Sequence, residues 1–177
     1  MTDPAARSAP AAEAKSDEAD ATAARRTWMA ALAKAQPARL KQLAQAYLDG
    51  LDPEAAPRFT MLRKPEVGLV MVRARAGGAG APFNMGEMTT TRCTVLLDGG
   101  EADAQIAGVA YIAGRDGAHA TLAAKLDALL QTPTHHDAVQ AQIVAPLIAE
   151  RAKAQAKRRA QVGATKVDFF TMVRGED

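Results

Sequence analysis

The chemistry available to this chain lies in arginines set beside glycines. The run Leu69-Val70-Met71-Val72-Arg73-Ala74-Arg75-Ala76 leads directly into Gly77, Gly78 and Gly80. In an extended strand, the two-residue period places Leu69, Met71, Arg73 and Arg75 on one face and Val70, Val72 and Ala74 on the other. Arg75 beside such a loop offers a guanidinium fork and close-approaching backbone N–H groups, a combination that can hold a phosphate or phosphonate. The same residues equally suit a solvated hairpin connection. The loop lacks the lysine and following helix of a P-loop, and it misses the spacing of a dinucleotide fingerprint. Arg92, in Thr90-Thr91-Arg92-Cys93, and Arg115, after Gly114 at the start of an expected helix, complete the candidate anion ligands. Helix N-termini favour anions, but Asp116 is placed to cap those amides itself.

The other reactive residue types read as structural. His119 shares a helical face with Leu122 and Leu126, a pattern that suits a core or interface histidine bonded to backbone. His135 and His136 are adjacent and cannot both face one metal, and no cysteine or carboxylate stands at ligand spacing, so no metal site is expected. Cys93, the only cysteine, reads as a buried and inert thiol that fits a reducing compartment. No serine occupies a nucleophile elbow. Nothing in the set assembles into a catalytic constellation.

The elements that must position these residues follow from the apolar pattern. Residues 1–24 contain no leucine, isoleucine or valine and are expected to be a disordered extension. Trp28, Met29, Leu32 and Ala35 then mark an amphipathic helix. Pro37 opens a second one carrying Leu40, Leu43, Ala44, Tyr47 and Leu48, with Gly50 as its cap. Residues 57–62, 67–76, 87–97 and 102–113 read as four extended segments. The first two join around Lys64-Pro65-Glu66 and the last two at Asp98-Gly99-Gly100, a hairpin signal. Helical period returns after Gly114 and lasts until Pro133. A further helix follows the Thr134-His135-His136-Asp137 turn, and Pro146 should kink it. The expected fold class is α+β: an N-terminal helical hairpin, a four-stranded mainly antiparallel sheet, C-terminal helices, and a terminal arm over 166–177. Residues 25–165 form the single domain.

Composition narrows the function. The 177 residues are 48% hydrophobic but only 4% aromatic, and a core built mainly of alanine buries little area per residue. A net charge of +2 gives no argument for nucleic acid or a membrane surface. No apolar run is long enough to span a bilayer and none has the form of a signal peptide, so the expected location is cytoplasmic. The arm is unusual. Alternation puts Phe169, Thr171 and Val173 on one side and Phe170, Met172 and Arg174 on the other, so an extended arm is apolar on both faces. It must complete its own sheet or dock on another subunit.

In order along the chain, these features resemble the PhnG family, small subunits of the bacterial carbon–phosphorus lyase core complex. Val167-Asp168-Phe169-Phe170-Thr171-Met172-Val173-Arg174-Gly175 carries most of the likeness. Trp28-Met29, Ala74-Arg75 with Gly77, Gly78 and Gly80, then Phe83, Gly86, Thr91 and Arg92 add to it. So do Gly114-Arg115-Asp116, His119-Ala120 and Ala145-Pro146-Leu147. The N-terminal extension, Arg73 and Cys93 fall outside the pattern. The resemblance implies a subunit of the assembly that makes α-D-ribose 1-methylphosphonate 5-triphosphate and adenine from ATP and methylphosphonate. PhnI is its direct partner, with PhnH and PhnJ in the same core and the ATPase-like PhnL alongside. Glycosyl transfer is assigned to PhnI and an iron–sulfur cluster to PhnJ, so no cofactor and no catalytic residue are expected in this subunit. Trp28, His119, Asp168, Phe169, Phe170, Met172, Val173 and Arg174 become the candidate partner interface. The alternative is that Arg75, Arg92 and Arg115 enter a shared active site. A homodimer of the isolated chain stays open.

Overall fold

The computed structural model describes residues 9–76, 79–98 and 105–165. The first helix, α1 (Ala9–Ala33), begins well before Arg25. Its alanines have high helix propensity, so the segment expected to be irregular is helical from Ala9. Residues 19–24 are nevertheless exposed, and packing starts only with half-buried Arg25 and buried Trp28 and Leu32. A second helix, α2 (Pro37–Asp49), opens on its proline and ends at Gly50, whose N–H donates to Tyr47 O at 3.2 Å.

Among the described residues the sheet has three strands, not four, in the order β1 (Arg58–Arg75), β2 (Pro82–Asp98), β3 (Ile106–Ala113), all antiparallel. The two segments expected on either side of Lys64-Pro65-Glu66 are one strand of 18 residues, paired with β2 before and after that stretch. Register shifts between Met61 and Arg63 and again between Arg63 and Glu66. Proline cannot donate to a ladder, but an edge strand absorbs it in an irregular stretch without reversing. A second irregularity lies opposite Val72 and Arg73, which pair with Gly86 and Asn84 and leave Met85 as the extra residue. Gly86 there takes φ +152, a conformation open to glycine.

The remaining helices form one run. The third helix, α3 (Gly117–Leu130), is capped by Asp116 and precedes α4 (Pro133–Val139), a π turn (Gln140–Val144) and α5 (Ala145–Ala164). The Thr134–Asp137 stretch, expected as a turn, is helical because Thr132 caps it and Pro133 suits the first turn. Pro146 does not break the run. Its missing N–H and its ring open the preceding turn into a π turn, where Ala145 N–H donates to Gln140 O.

The core sits between the sheet and α3, with α1 and α2 behind. α3 buries His119, Ala120, Ala123, Ala124, Leu126 and four residues from Asp127 to Leu130, so it is enclosed on nearly all sides. Its alanines allow close approach. A Cβ added at Gly108 of β3 would stand 2.7 Å from Ala128 N and 2.8 Å from Ala128 Cβ.

Candidate functional site

The structure separates the candidate anion ligands. Cys93, Val95 and Leu97 of β2 are buried beneath the helices, so odd-numbered residues there mark the helix side of the sheet. Glu66 pairs with Arg92, and both therefore lie on the opposite side. β1 alternates without a break from Glu66 to Arg75, which returns Arg75 to the helix side. Nine residues of strand also separate Glu66 from Arg75, roughly 30 Å at ~3.3 Å per residue. Arg75 and Arg92 thus cannot grip one small anion within one chain. Each is otherwise engaged: Arg75 Nη1 donates to Gly80 O at 3.1 Å, and Arg92 meets Glu66 Oε2 at 3.0 Å, a carboxylate shared with Arg63 at 3.4 Å. Gly77 and Gly78 lie outside the described residues. Arg115 is exposed where β3 gives way to α3, after Gly114 at φ +96. Asp116 Oδ1 accepts from His119 N at 2.8 Å, so that helix start carries its own anion.

Two of the residues read as interface candidates belong to the interior. Trp28 is buried, donates from Nε1 to Asp127 Oδ1 at 2.8 Å and stacks edge-on against His136. His119 is buried and donates from Nε2 to Leu32 O at 2.8 Å, tying α3 to the end of α1. Neither offers a surface, because each spends its polar edge inside the chain. His135 and His136 point to separate partners, Tyr47 OH at 2.8 Å and Leu130 O at 2.6 Å. Burial pushes the His135 ring below the ordinary histidine range and the Tyr47 phenol above its own. Cys93 is fully buried, and burial raises its thiol out of the reactive range. Asp168, Phe169, Phe170, Met172, Val173 and Arg174 lie outside the described residues.

Sequence reasoning missed Asp127. This buried carboxylate accepts from Arg25 Nη2 at 2.7 Å, Trp28 Nε1 at 2.8 Å, Val109 N at 3.0 Å and Gln131 Nε2 at 3.3 Å. It joins α1, β3 and α3. The available signal was an aspartate on the apolar face of α3, one residue from Leu126.

What the sheet leaves open is larger. β3 pairs with β2 only over Thr90–Leu97, so β1 beyond Gly68 and β2 before Thr90 project as a two-stranded ribbon. On its helix side Leu69 and Met71, with Val67 just before them, continue the core face into solvent. Leu69 is 62% exposed. On the other side, Val70, Met88 and Phe83 are exposed as well, and Met85 at the bulge is 63% exposed. A contiguous apolar surface of this kind marks an interaction site.

Comparison with known proteins agrees with this picture of a subunit. Residues 23–175 match the family model described as phosphonate metabolism protein PhnG. The chain belongs to the PhnG family. It is also 45% identical over 167 residues to the alpha-D-ribose 1-methylphosphonate 5-triphosphate synthase subunit PhnG of Rhizobium meliloti (strain 1021), covering 93% of this chain and 97% of that protein. The described residues that carry the likeness to PhnG hold structural posts. Gly86 sits at the bulge, Gly114 at a positive φ, and Thr91 Oγ1 donates to Gly114 O at 2.7 Å. Asp116 caps α3, and Pro146 follows the π turn. Among the described residues no cluster of three or more histidine, cysteine or acidic groups is arranged to hold a metal, and no helix is long and apolar enough to cross a membrane.

Proposed function

We propose that this chain is the PhnG subunit of alpha-D-ribose 1-methylphosphonate 5-triphosphate synthase in phosphonate metabolism, and that it supports a larger catalytic subunit instead of reacting itself. The exposed apolar ribbon of β1 and β2 carries this reading. Obligate interfaces resemble a domain core cut in half, and the ribbon continues a core face for which the described residues supply no cover. Family membership and the relative's name supply the pathway. The partner is PhnI, to which the PhnG resemblance assigns glycosyl transfer, with PhnH and PhnJ in the same cytoplasmic assembly. The opposite-face placement of Arg75 and Arg92 argues against an arginine cradle built within this subunit.

The test is to charge the ribbon. The double variant Leu69→Glu/Met71→Glu alters only exposed side chains, so it should keep its circular-dichroism spectrum and lose PhnI on co-purification. Synthesis of the triphosphate product by the reconstituted subunits should fall with it. Undiminished binding and synthesis would reject the supporting role of this surface.

A further inference from the structure

A cleft of about 470 Å³ opens between α1 and α5. Ala31 of α1 is buried within it, and Ala30, Ile148 and Ala152 extend the apolar lining. Arg26, Arg151 and Gln155 line it too, and all three are exposed. Among the described residues the ion pairs engage Arg25, Arg39, Arg63 and Arg92, and neither cleft arginine takes part in one.

Positive charge is concentrated beside this cleft. α5 carries Arg151, Lys153, Lys157, Arg158 and Arg159 against a single acid, Glu150, in a chain whose net charge is only +2. The helical period sets Ile148, Ala152, Gln155, Arg159 and Val162 in one stripe, with Arg151 and Arg158 along its flank. Glu150 falls on the other side of α5, where it is paired with Arg39 at 2.8 Å. On α1 the same period brings Asp20 into line with Thr27, but Asp20 is exposed and meets no arginine among the described residues. The cleft face therefore carries guanidinium groups that its own helices do not neutralise. Every residue of α5 from Ile148 to Thr165 is exposed. Helices draw most of their stability from packing an amphipathic face, and beyond the cleft the described residues give this one nothing to pack on.

We propose that this cleft, with the arginine stripe leading from it, receives an acidic amphipathic helix of another subunit. The apolar ridge of that helix lies against Ala30, Ala31, Ile148 and Ala152. Its carboxylates meet Arg26, Arg151 and Arg158, whose guanidinium forks suit bidentate pairing. A small molecule fits less well, because small-ligand sites enclose most of their ligand and here every lining residue from α5 is exposed. A nucleic acid would engage the arginines but leave Ile148 and Val162, 41% and 65% exposed, in water. The inference rests on the reading of this chain as a subunit, but not on what covers the ribbon.

Gln155→Lys places an amine in the cleft, away from Lys153 and Lys157 on the opposite side of α5. The full-length variant is assembled with the other synthase subunits, treated with a zero-length carbodiimide and digested for mass spectrometry. The introduced amine is expected to join an Asp or Glu of another subunit, within a segment whose apolar residues recur at helical spacing among acids. A link only to Asp20 or another carboxylate of its own chain, or no link, overturns the proposal. Arg26→Glu/Arg151→Glu changes two exposed positions and should keep the circular-dichroism spectrum. It should bind the other subunits about tenfold more weakly or worse, because like charges facing across an interface are disfavoured. Binding by the unaltered chain should itself weaken between roughly 0.1 and 1 M salt. Unchanged affinity of the double variant overturns the proposal. So does a labelled DNA duplex that the unaltered chain binds and the double variant releases. Should the double variant lose its spectrum, the cross-link decides. Leu69→Glu/Met71→Glu is scored alongside. An assembly that survives charging the ribbon and weakens on reversing the cleft rejects the ribbon alone, and the opposite result rejects the cleft alone.

Discussion

Asp127 shows how this chain tolerates a buried charge. Its carboxylate meets a guanidinium, an indole N–H, a backbone N–H and an amide, so its lone pairs are satisfied. Asp127→Ala strands the Trp28 and Val109 N–H groups in the interior and leaves Arg25 without its partner. The expected loss is about 3–5 kcal/mol, read as a shift of the urea midpoint. Arg39→Ala removes the exposed pair with Glu150 and should cost under ~1 kcal/mol. His135 sets a pH dependence. Its folded-state pKa lies below the unfolded value of 6.5, so the unfolded chain takes up the proton first. Above pH 6.5 the ring is neutral in both states and contributes nothing. As pH falls below that value, stability drops until the folded ring also protonates. The urea midpoint should therefore be lower at about pH 5 than at about pH 7.5, and His135→Gln should shrink that difference.

At the scale of elements, small residues decide how closely β3 approaches α3. Gly108→Ala would drive a methyl into Ala128 and the α3 backbone, neither of which is a flexible side-chain end. The expected cost is roughly 1–3 kcal/mol or more, measured by thermal or urea unfolding. Gly163→Ala in α5 is the contrast: nothing lies within 4 Å of the added Cβ, and helix propensity improves by up to ~1 kcal/mol. Two prolines make the complementary point. Pro65 and Pro146 both look like breaks in sequence, yet β1 takes up the first by shifting register and the helical run takes up the second by widening one turn. In each case continued pairing or packing on both sides outweighs one lost hydrogen bond.

For the molecule as a whole, the consequence is a sheet that outgrows its helices. α3 covers β2 and β3, but the β1–β2 ribbon runs on past it with Leu69, Met71 and Met85 in water. α5 is likewise exposed after Leu147, although Ile148, Arg151, Ala152 and Gln155 still line a cleft with Arg26, Thr27, Ala30 and Ala31 of α1. The loss of PhnI that we propose for charging Leu69 and Met71 belongs to this scale, because no single buried contact is removed. What fails is the match between an uncovered face and a partner that must exclude water from it.

Local signals determined where several helices begin and end. Pro37, Gly50, Asp116 and Pro133 stand at helix ends because capping is settled by a residue and its next three or four neighbours. The antiparallel pairing of β2 with β3 was legible for the same reason, from alternation on either side of Asp98-Gly99-Gly100. Other features needed the assembled chain. Whether Lys64-Pro65-Glu66 reverses or merely bends depends on β2 pairing with both sides of it. The fates of Trp28, His119 and Asp127 depend on partners 87 to 102 residues away. The arginines looked like a cradle in sequence because spacing along one strand says nothing of which side of a sheet another strand's arginine faces. Register fixes that, and register is set by long-range pairing.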